Sequence, residues 1–375
     1  MVGQAHRRGP GRRRGHRAGR PVSRSTVAVV GAGIIGCLVA REIRDRSADT
    51  DVVVLDRDAV GSGATRRSAG LHFPRGASTR VRRMTGYSED WFRRLGEADP
   101  AVPIHPLPMT VIAGTDRAAE VDQAYLVSAK LTPVSTLDDA RIRIPAGSVA
   151  WTGEGCQYAD VYALSAYLSR ALRPAVAFRE GIAVTALDCG RDGVRLALGS
   201  GEELRADRVV LAPGPWVHAP AWRELLAPHG VRVKKVVALH IEERPGPDDP
   251  CVVFHDEDAF LLPLAHRGHW LFSYTCQEWD VDPDALTDGL AGEHLAQARG
   301  ILARYAPALA GRATSGRVFC DAYTPDRQPL VRALDPHRRV VFAGGANGSG
   351  YRLSPAIAAE AVDLLDLTPS PRSQG

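Results

Sequence analysis

Hydrophobic positions along the chain fall into two periodicities. Residues 26–30 (TVAVV) and 51–56 (DVVVLD) are short, near-continuous apolar runs, the kind buried on both faces of a parallel sheet. Between them, LVAREIRDR at 38–46 offers Leu38, Val39 and Ile43 for burial on one helical face. Strand, glycine-rich turn, helix and strand in that order predict a βαβ unit. Helices are expected at about 83–95, 159–173 and 284–305, with Asp160 placed to cap the second. IAVTALDC and VRLALGSG predict a hairpin with Asp192-Gly193 in its turn region, and LRADRVVLAPG a return to the main sheet. VRVKKVVALHIE, CVVFHDEDAFLLPLA and HWLFSYT alternate or run apolar like strands of a second sheet. RRVVFAGG is a further buried strand, and SPAIAAEAVDLLDL a helix with Pro355 in its first turn. The stretch 101–150, with several prolines, is expected to be irregular. The nucleotide-binding domain implied by the βαβ unit is therefore discontinuous, at 25–100, 151–221 and 313–368. A second domain takes 101–150 and 222–312, with tails at 1–24 and 369–375.

Composition supports two cores: 375 residues, 45% hydrophobic and 24% charged, exceed what one core usually organises. No apolar run approaches the ~20 residues that span a bilayer, so no membrane partner is expected. The net charge of +4 misleads, because residues 1–24 hold eight arginines and no acid, leaving −4 for the rest. This Gly/Pro/Arg stretch cannot form a core and is expected to be a disordered leader. As a nucleic-acid tether it is poor, having no aromatic residue and an acidic body behind it, so no specific nucleic acid is expected. A twin-arginine export signal is another reading of it. The following TVAVVGAGIIG, however, is a first strand and turn without a cleavage signature, and a cytoplasmic location is expected. Cysteines 37, 156, 189, 251, 276 and 320 are scattered with no CxxC pair, so no metal site or disulfide framework is expected.

Gly31-Ala32-Gly33-Ile34-Ile35-Gly36 occupies the first strand–helix junction. Gly31 permits the tight turn, Gly33 leaves room for a pyrophosphate, and Gly36 allows close helix packing. Ile34 and Ile35 open the helix, whose N-terminal donors and dipole suit a diphosphate. Asp56, followed by Arg57, lies 25 positions beyond Gly31, where a carboxylate can accept from an adenosine ribose. The ordered set predicts a dinucleotide site, and the same fingerprint serves NAD and FAD.

Four blocks point to FAD: VAVVGAGIIGCLVARE with VVVLDRD, GSGATRRSAGL, ADRVVLAPGPW, and YTPDRQPLV with VVFAGGANGSGYRLSPAIAAEAV. Together they resemble the D-amino-acid oxidase-like FAD-dependent oxidoreductases, a family that includes glycine oxidases and monomeric sarcosine oxidases. The resemblance runs from about residue 26 to 366. It implies an α/β fold, with a Rossmann-type FAD-binding domain and an α+β substrate domain on a mixed or antiparallel sheet. It places Ser62, Gly63, Thr65 and Arg66 around the pyrophosphate and ribityl chain, and Ala69, Gly70 and Leu71 beside the flavin ring. Val184 resembles the residue whose backbone meets adenine, and Ala212, Gly214 and Trp216 the segment that approaches the cofactor after the returning strand. Gly345, Asn347, Gly348, Gly350 and Tyr351 resemble the turn beside the pyrimidine edge. Asp326, in TPD, is expected to be structural.

On the substrate side, Thr79-Arg80-Val81-Arg82-Arg83 resembles a sarcosine-oxidase segment with one arginine against the flavin and another, three residues later, on the substrate carboxylate. The match makes Arg80 the flavin neighbour and Arg83 the clamp. Arg352 stands where that pattern has a carboxylate-holding lysine, and a guanidinium fork suits the task. His72, directly after the flavin loop, and Tyr351 are further pocket candidates, with His255 and Tyr274. The chain departs from its relatives in three ways. Asp321 stands where glycine oxidases have an arginine. AHRGHWLFSYT lacks the lysine that promotes reaction with oxygen in sarcosine oxidases, leaving His269 as the candidate positive charge. Cys320 lies near a position where some relatives attach flavin, but the spacing before YTPD is shorter. Non-covalent FAD is therefore expected, with attachment through Cys320 the alternative.

The resemblance implies oxidation of the C–N bond of a small, carboxylate-bearing amino acid or N-substituted amino acid. Hydride transfer from the α carbon to flavin N5 would give an imine, with molecular oxygen the expected acceptor. A 2-hydroxy-acid dehydrogenase or oxidase would use the same clamp, and a non-catalytic flavin-binding protein the same fold. The residues leave both open.

Overall fold

A computed structural model describes residues 24–286 and 289–367. The leader up to residue 23 and the expected C-terminal tail lie outside the described residues. Thr26–Val30 pairs in parallel with Asp51–Leu55 on one side and Arg208–Leu211 on the other. Val340–Gly344 joins Arg208–Leu211 in parallel, Leu330–Ala333 adds an antiparallel edge, and Val176–Arg179 forms the opposite edge of this six-stranded sheet. One face is covered by the helices Ile34–Arg46, Thr79–Ala98, Val161–Leu172 and Gly350–Asp363, which share one apolar core with it. Asp160 caps its helix as expected, accepting the Ala163 amide at 3.0 Å.

The last helix starts earlier than its sequence suggests, so Pro355 lies in its interior. Proline has no amide to give to the Tyr351 carbonyl, and the Ser354 hydroxyl donates to it instead, at 2.8 Å. The expected hairpin, Val184–Gly190 with Gly193–Leu198, gains Glu203–Ala206 as a third strand, so only Arg208–Leu211 of the returning segment reaches the main sheet.

The second sheet has nine strands and is mixed: Cys251–Phe254 pairs in parallel with Ile104–Gly114, and the other pairings are antiparallel. Two findings differ from expectation. Ile104–Gly114 is a long strand inside this sheet, where irregular structure was expected; its register shifts between Leu107 and Met109, around Pro108, so a bulge accommodates the missing donor. Ser148–Ala159 and Ala313–Tyr323 fall largely within segments expected for the nucleotide domain, yet both are strands of the larger sheet. Among the described residues, no helix is long and apolar enough to cross a membrane.

Candidate active site

The glycine turn is fixed by close contacts. Gly31 has φ +104°, and a Cβ there would lie 2.2 Å from the Ala212 carbonyl oxygen; one on Gly36 would lie 1.8 Å from the Gly31 oxygen. No side chain fits either position, which holds the helix N-terminus at the carboxyl ends of the strands. A cavity of about 560 Å³ opens there, a volume in the range of cofactor sites. Gly31, Gly33, Asp56, Arg57, Ser62, Gly63 and Thr65 line it from the first half of the chain; Val184, Ala212, Gly214 and Trp216 form its other walls. Asp56 accepts the amides of Ala32 at 2.6 Å and Asp58 at 2.8 Å. Burial raises its pKa while these amides oppose the shift. Arg57 lies 4.3 Å over the Trp216 ring and pairs with Asp284, which also accepts the Trp216 indole N–H at 2.8 Å. Asp284 belongs to the DVDPDA run at 280–285, which lies between the strands His269–Tyr274 and Ala313–Tyr323 and lines the cavity. Sequence reasoning missed this run, whose composition says nothing of what it faces.

The second pole of the site is the turn 345–350. The Thr324 amide donates to Asn347 Oδ1 at 2.9 Å, and the Asn347 amide to the Ala322 carbonyl at 3.1 Å. Asp321 accepts the Gly348 amide at 2.8 Å, and burial pushes its pKa up to about 6. The turn is thereby fastened to residues 321–324 and sets the start of the helix that carries Arg352. The Arg352 guanidinium donates to the Arg75 carbonyl and, at 2.8 Å, to the Ser349 hydroxyl; it lies 4.9 Å from the Phe73 ring centre. Burial, then the neighbouring Arg75 charge, lowers its pKa to about 10, so it remains a cation at neutral pH. The Arg75 side chain lies 3.9 Å from Asp258. Arg75 Nε, Tyr125 Oη and His255 Nδ1, which share this rim, are buried with no hydrogen-bond partner among the described residues.

Residues 26–364 match the family model described as "FAD dependent oxidoreductase" (DAO). The chain belongs to this family. It is 29% identical over 363 residues to the tRNA 5-methylaminomethyl-2-thiouridine biosynthesis bifunctional protein MnmC of Caulobacter vibrioides, covering 94% of this chain and 56% of that protein. It is 25% identical over 380 residues to the 4-methylaminobutanoate oxidase (formaldehyde-forming) of Paenarthrobacter nicotinovorans, covering 90% of this chain and 43% of that one. The chain thus spans about half the length of these curated relatives. Among solved structures it resembles glycine oxidase from Geobacillus kaustophilus, with a TM-score of 0.76 and 18% identity over 91% of this chain and 94% of the other. That likeness speaks for the fold alone.

For a member of the FAD-dependent oxidoreductases, the remaining candidates are placed unevenly. Arg66 stands 5.5 Å from the Tyr162 ring. Ile34 and Ile35 pack into the first core, and Ala69 and Leu71 into the core of the second sheet. The Gly70 carbonyl accepts the Ala159 amide at 2.9 Å. Arg80 does not reach Arg352: it donates to the Pro329 carbonyl at 2.8 Å and pairs with Glu360 at 2.5 Å. Arg83 is exposed, because its helix buries Val81, Met84, Thr85, Ser88 and Phe92 and turns position 83 outward. The structure puts Arg75, not Arg83, beside Arg352. His72 is fully buried, edge-on to Phe92, with neither ring nitrogen in a well-formed hydrogen bond among the described residues; burial, then the nearby Arg352 charge, lowers its pKa to about 3. Tyr351 stacks on the same Phe92 at 4.7 Å, its hydroxyl buried and unpartnered. Both are core residues beneath the turn. Tyr274 donates to Gln297 at 3.0 Å in a different core.

Burial lowers the pKa of His269, the candidate for the positive charge, and so favours its neutral form. Arg317 carries charge nearby: it donates to the carbonyls of Arg67 at 2.9 Å and Ser68 at 3.3 Å and lies 3.0 Å from His240, whose ring stands 4.6 Å from that of His269. Sequence reasoning missed it. Cys320 is buried and its thiol pushed up to about 12, chiefly by burial. Cys276, Glu278 and His294 bring ligand-type atoms within 4.8 Å of one another. His294 Nδ1 accepts the Ala291 amide, however, so Nε2 carries the proton facing Glu278, which also pairs with Lys235. That arrangement suits a strut rather than a metal centre.

Proposed function

We propose that this protein oxidises the C–N bond of a small amine or amino acid that carries a carboxylate, N-substituted amino acids included. The observation that carries the reading is the pair of Arg352 and Arg75 at the start of the helix delivered by the 345–350 turn, with Asp258 the acid facing them. A substrate carboxylate would complete this rim: Arg352 and Arg75 would hold it, and Tyr125 Oη and His255 Nδ1 offer further hydrogen bonds. One of the relatives is named for oxidising 4-methylaminobutanoate, which carries both an amine and a carboxylate. FAD, when bound, supplies the hydride acceptor, and the glycine turn, Asp56 and the 345–350 turn would hold it. We expect non-covalent binding, a reading supported by the raised pKa of the buried Cys320 thiol, since the thiolate is the reactive form. Oxygen is the acceptor we expect.

The test is anaerobic bleaching of flavin absorbance by a panel of D- and L-amino acids, N-methyl amino acids and 2-hydroxy acids, followed by mixing with air. Bleaching by the amino acids supports the C–N reading, and rapid recovery in air supports an oxidase. Bleaching only by 2-hydroxy acids, or a protein that takes up no FAD, overturns it.

A further inference from the structure

The strand Arg232–Ile241 carries two adjacent lysines on opposite faces. Lys235 pairs with Glu278. Lys234 is 4% exposed, yet among the described residues no carboxylate stands within ion-pair distance and no hydrogen bond ties its ammonium down. It is held against two rings instead, 4.8 Å from the centre of Trp279 and 5.0 Å from that of Tyr323. Tyr323 stands next to the cofactor turn, its hydroxyl 3.1 Å from where a Cβ on Gly348 would lie. Asp258 acts electrostatically on both Lys234 and Arg352. Two cationic positions therefore flank the Asp258 turn. The Asp258 side chain is 70% exposed and accepts the Thr275 hydroxyl at 2.7 Å.

We propose that Lys234 forms a second anion subsite and that the preferred substrate is an amine bearing two acidic groups, one at Arg352 and Arg75 and one at Lys234. This rests on the reading of the Arg352 and Arg75 rim given above. An ammonium cradled by aromatic rings without an anion is costly to hold, and a carboxylate from a ligand is the partner that fits. A dicarboxylic ligand would engage both positions at once, the second as an intramolecular event.

The test uses FAD-loaded protein and ligands that cannot be oxidised: succinate, glutarate and adipate against butanoate, pentanoate and hexanoate, with Kd read from the perturbed flavin spectrum. At least one dicarboxylate should bind about tenfold more tightly than the monocarboxylate of equal length. Lys234→Gln should abolish that advantage and leave monocarboxylate affinity unchanged. A wild-type protein without any dicarboxylate preference overturns the subsite while leaving the first clamp standing, and needs no variant to fold. Failure of every carboxylate to bind removes the clamp reading itself. If Lys234→Gln retains the preference but slows flavin reoxidation by air, Lys234 serves oxygen and the proposal fails.

Discussion

In the nucleotide cavity Asp56 already accepts two amides and Arg57 already pairs with Asp284, whereas at the substrate rim Arg75 Nε, Tyr125 Oη and His255 Nδ1 are buried without partners. The first region is a finished cradle that a ligand enters. The second is completed only by what it binds. An unpaired buried polar group costs about 1–3 kcal/mol, and on the proposed reading a carboxylate that pairs with these groups would offset part of that cost. On the same proposed reading, cofactor affinity rests on backbone shape, and substrate affinity on polar groups that await a partner.

Disrupting the cradle should have the largest effect. Gly36→Val drives a side chain into the Gly31 carbonyl, and the purified protein is expected to carry no flavin absorbance. If it retains stoichiometric FAD, close packing is not what holds the cofactor. Arg75→Met should leave flavin content intact and weaken carboxylate binding about 10- to 100-fold, the loss of roughly 1.5–3 kcal/mol of charged hydrogen bonding. Unchanged Kd values would remove Arg75 from the rim. Arg57→Ala, which deletes an exposed ion pair and a ring contact, should weaken FAD by no more than about tenfold and leave ligand affinity alone.

The smallest change at neutral pH is expected for His72→Leu, which replaces two unpartnered ring nitrogens by apolar atoms. Its melting temperature at pH 7.5 should equal or slightly exceed that of the wild type. Acid separates them. With a folded pKa of about 3 against 6.5 when unfolded, the unfolded His72 binds the extra proton between those values. Wild-type stability is thus full above pH 6.5 and falls with pH by up to about 1.4 kcal/mol per unit, a component the variant lacks. Melts at pH 7.5 and pH 5 check the sign; a variant that folds normally yet no longer binds carboxylates would put His72 in the site after all.

The same contrast governs what the sequence discloses. Gly31 to Gly36 and Asp56 are legible because a strand, a turn, a helix and the next strand build the cradle within thirty or so residues, each step with a local signature. Arg75 carries no such mark. It lies in an extended stretch that bonds to Ala124 and Leu126, and it meets Arg352 only through pairings far apart in the chain. The match at Arg80 and Arg83 is local, and helical phase works against Arg83: the buried stripe through Val81, Met84, Ser88 and Phe92 turns that arginine outward, while Arg80 is half-buried against Pro329 and Glu360. That stripe is visible in the sequence and was the signal that could have corrected the reading. Lys234 and Lys235 look alike as residues; only the pairing of their strand tells which has an anion.

The six-stranded sheet has a consequence for synthesis. Its first strand ends at Val30, but Val340–Gly344 and the turn that follows leave the ribosome some 310 residues later. The strands of the larger sheet, the last of them Ala313–Tyr323, all emerge before then. A growing chain can therefore complete that sheet while its nucleotide half still waits for the strand beside Arg208–Leu211. Cofactor capture becomes a late event in the life of each molecule, and nascent chains released short of residue 350 would expose the unfilled flank of the parallel sheet to aggregation and proteolysis.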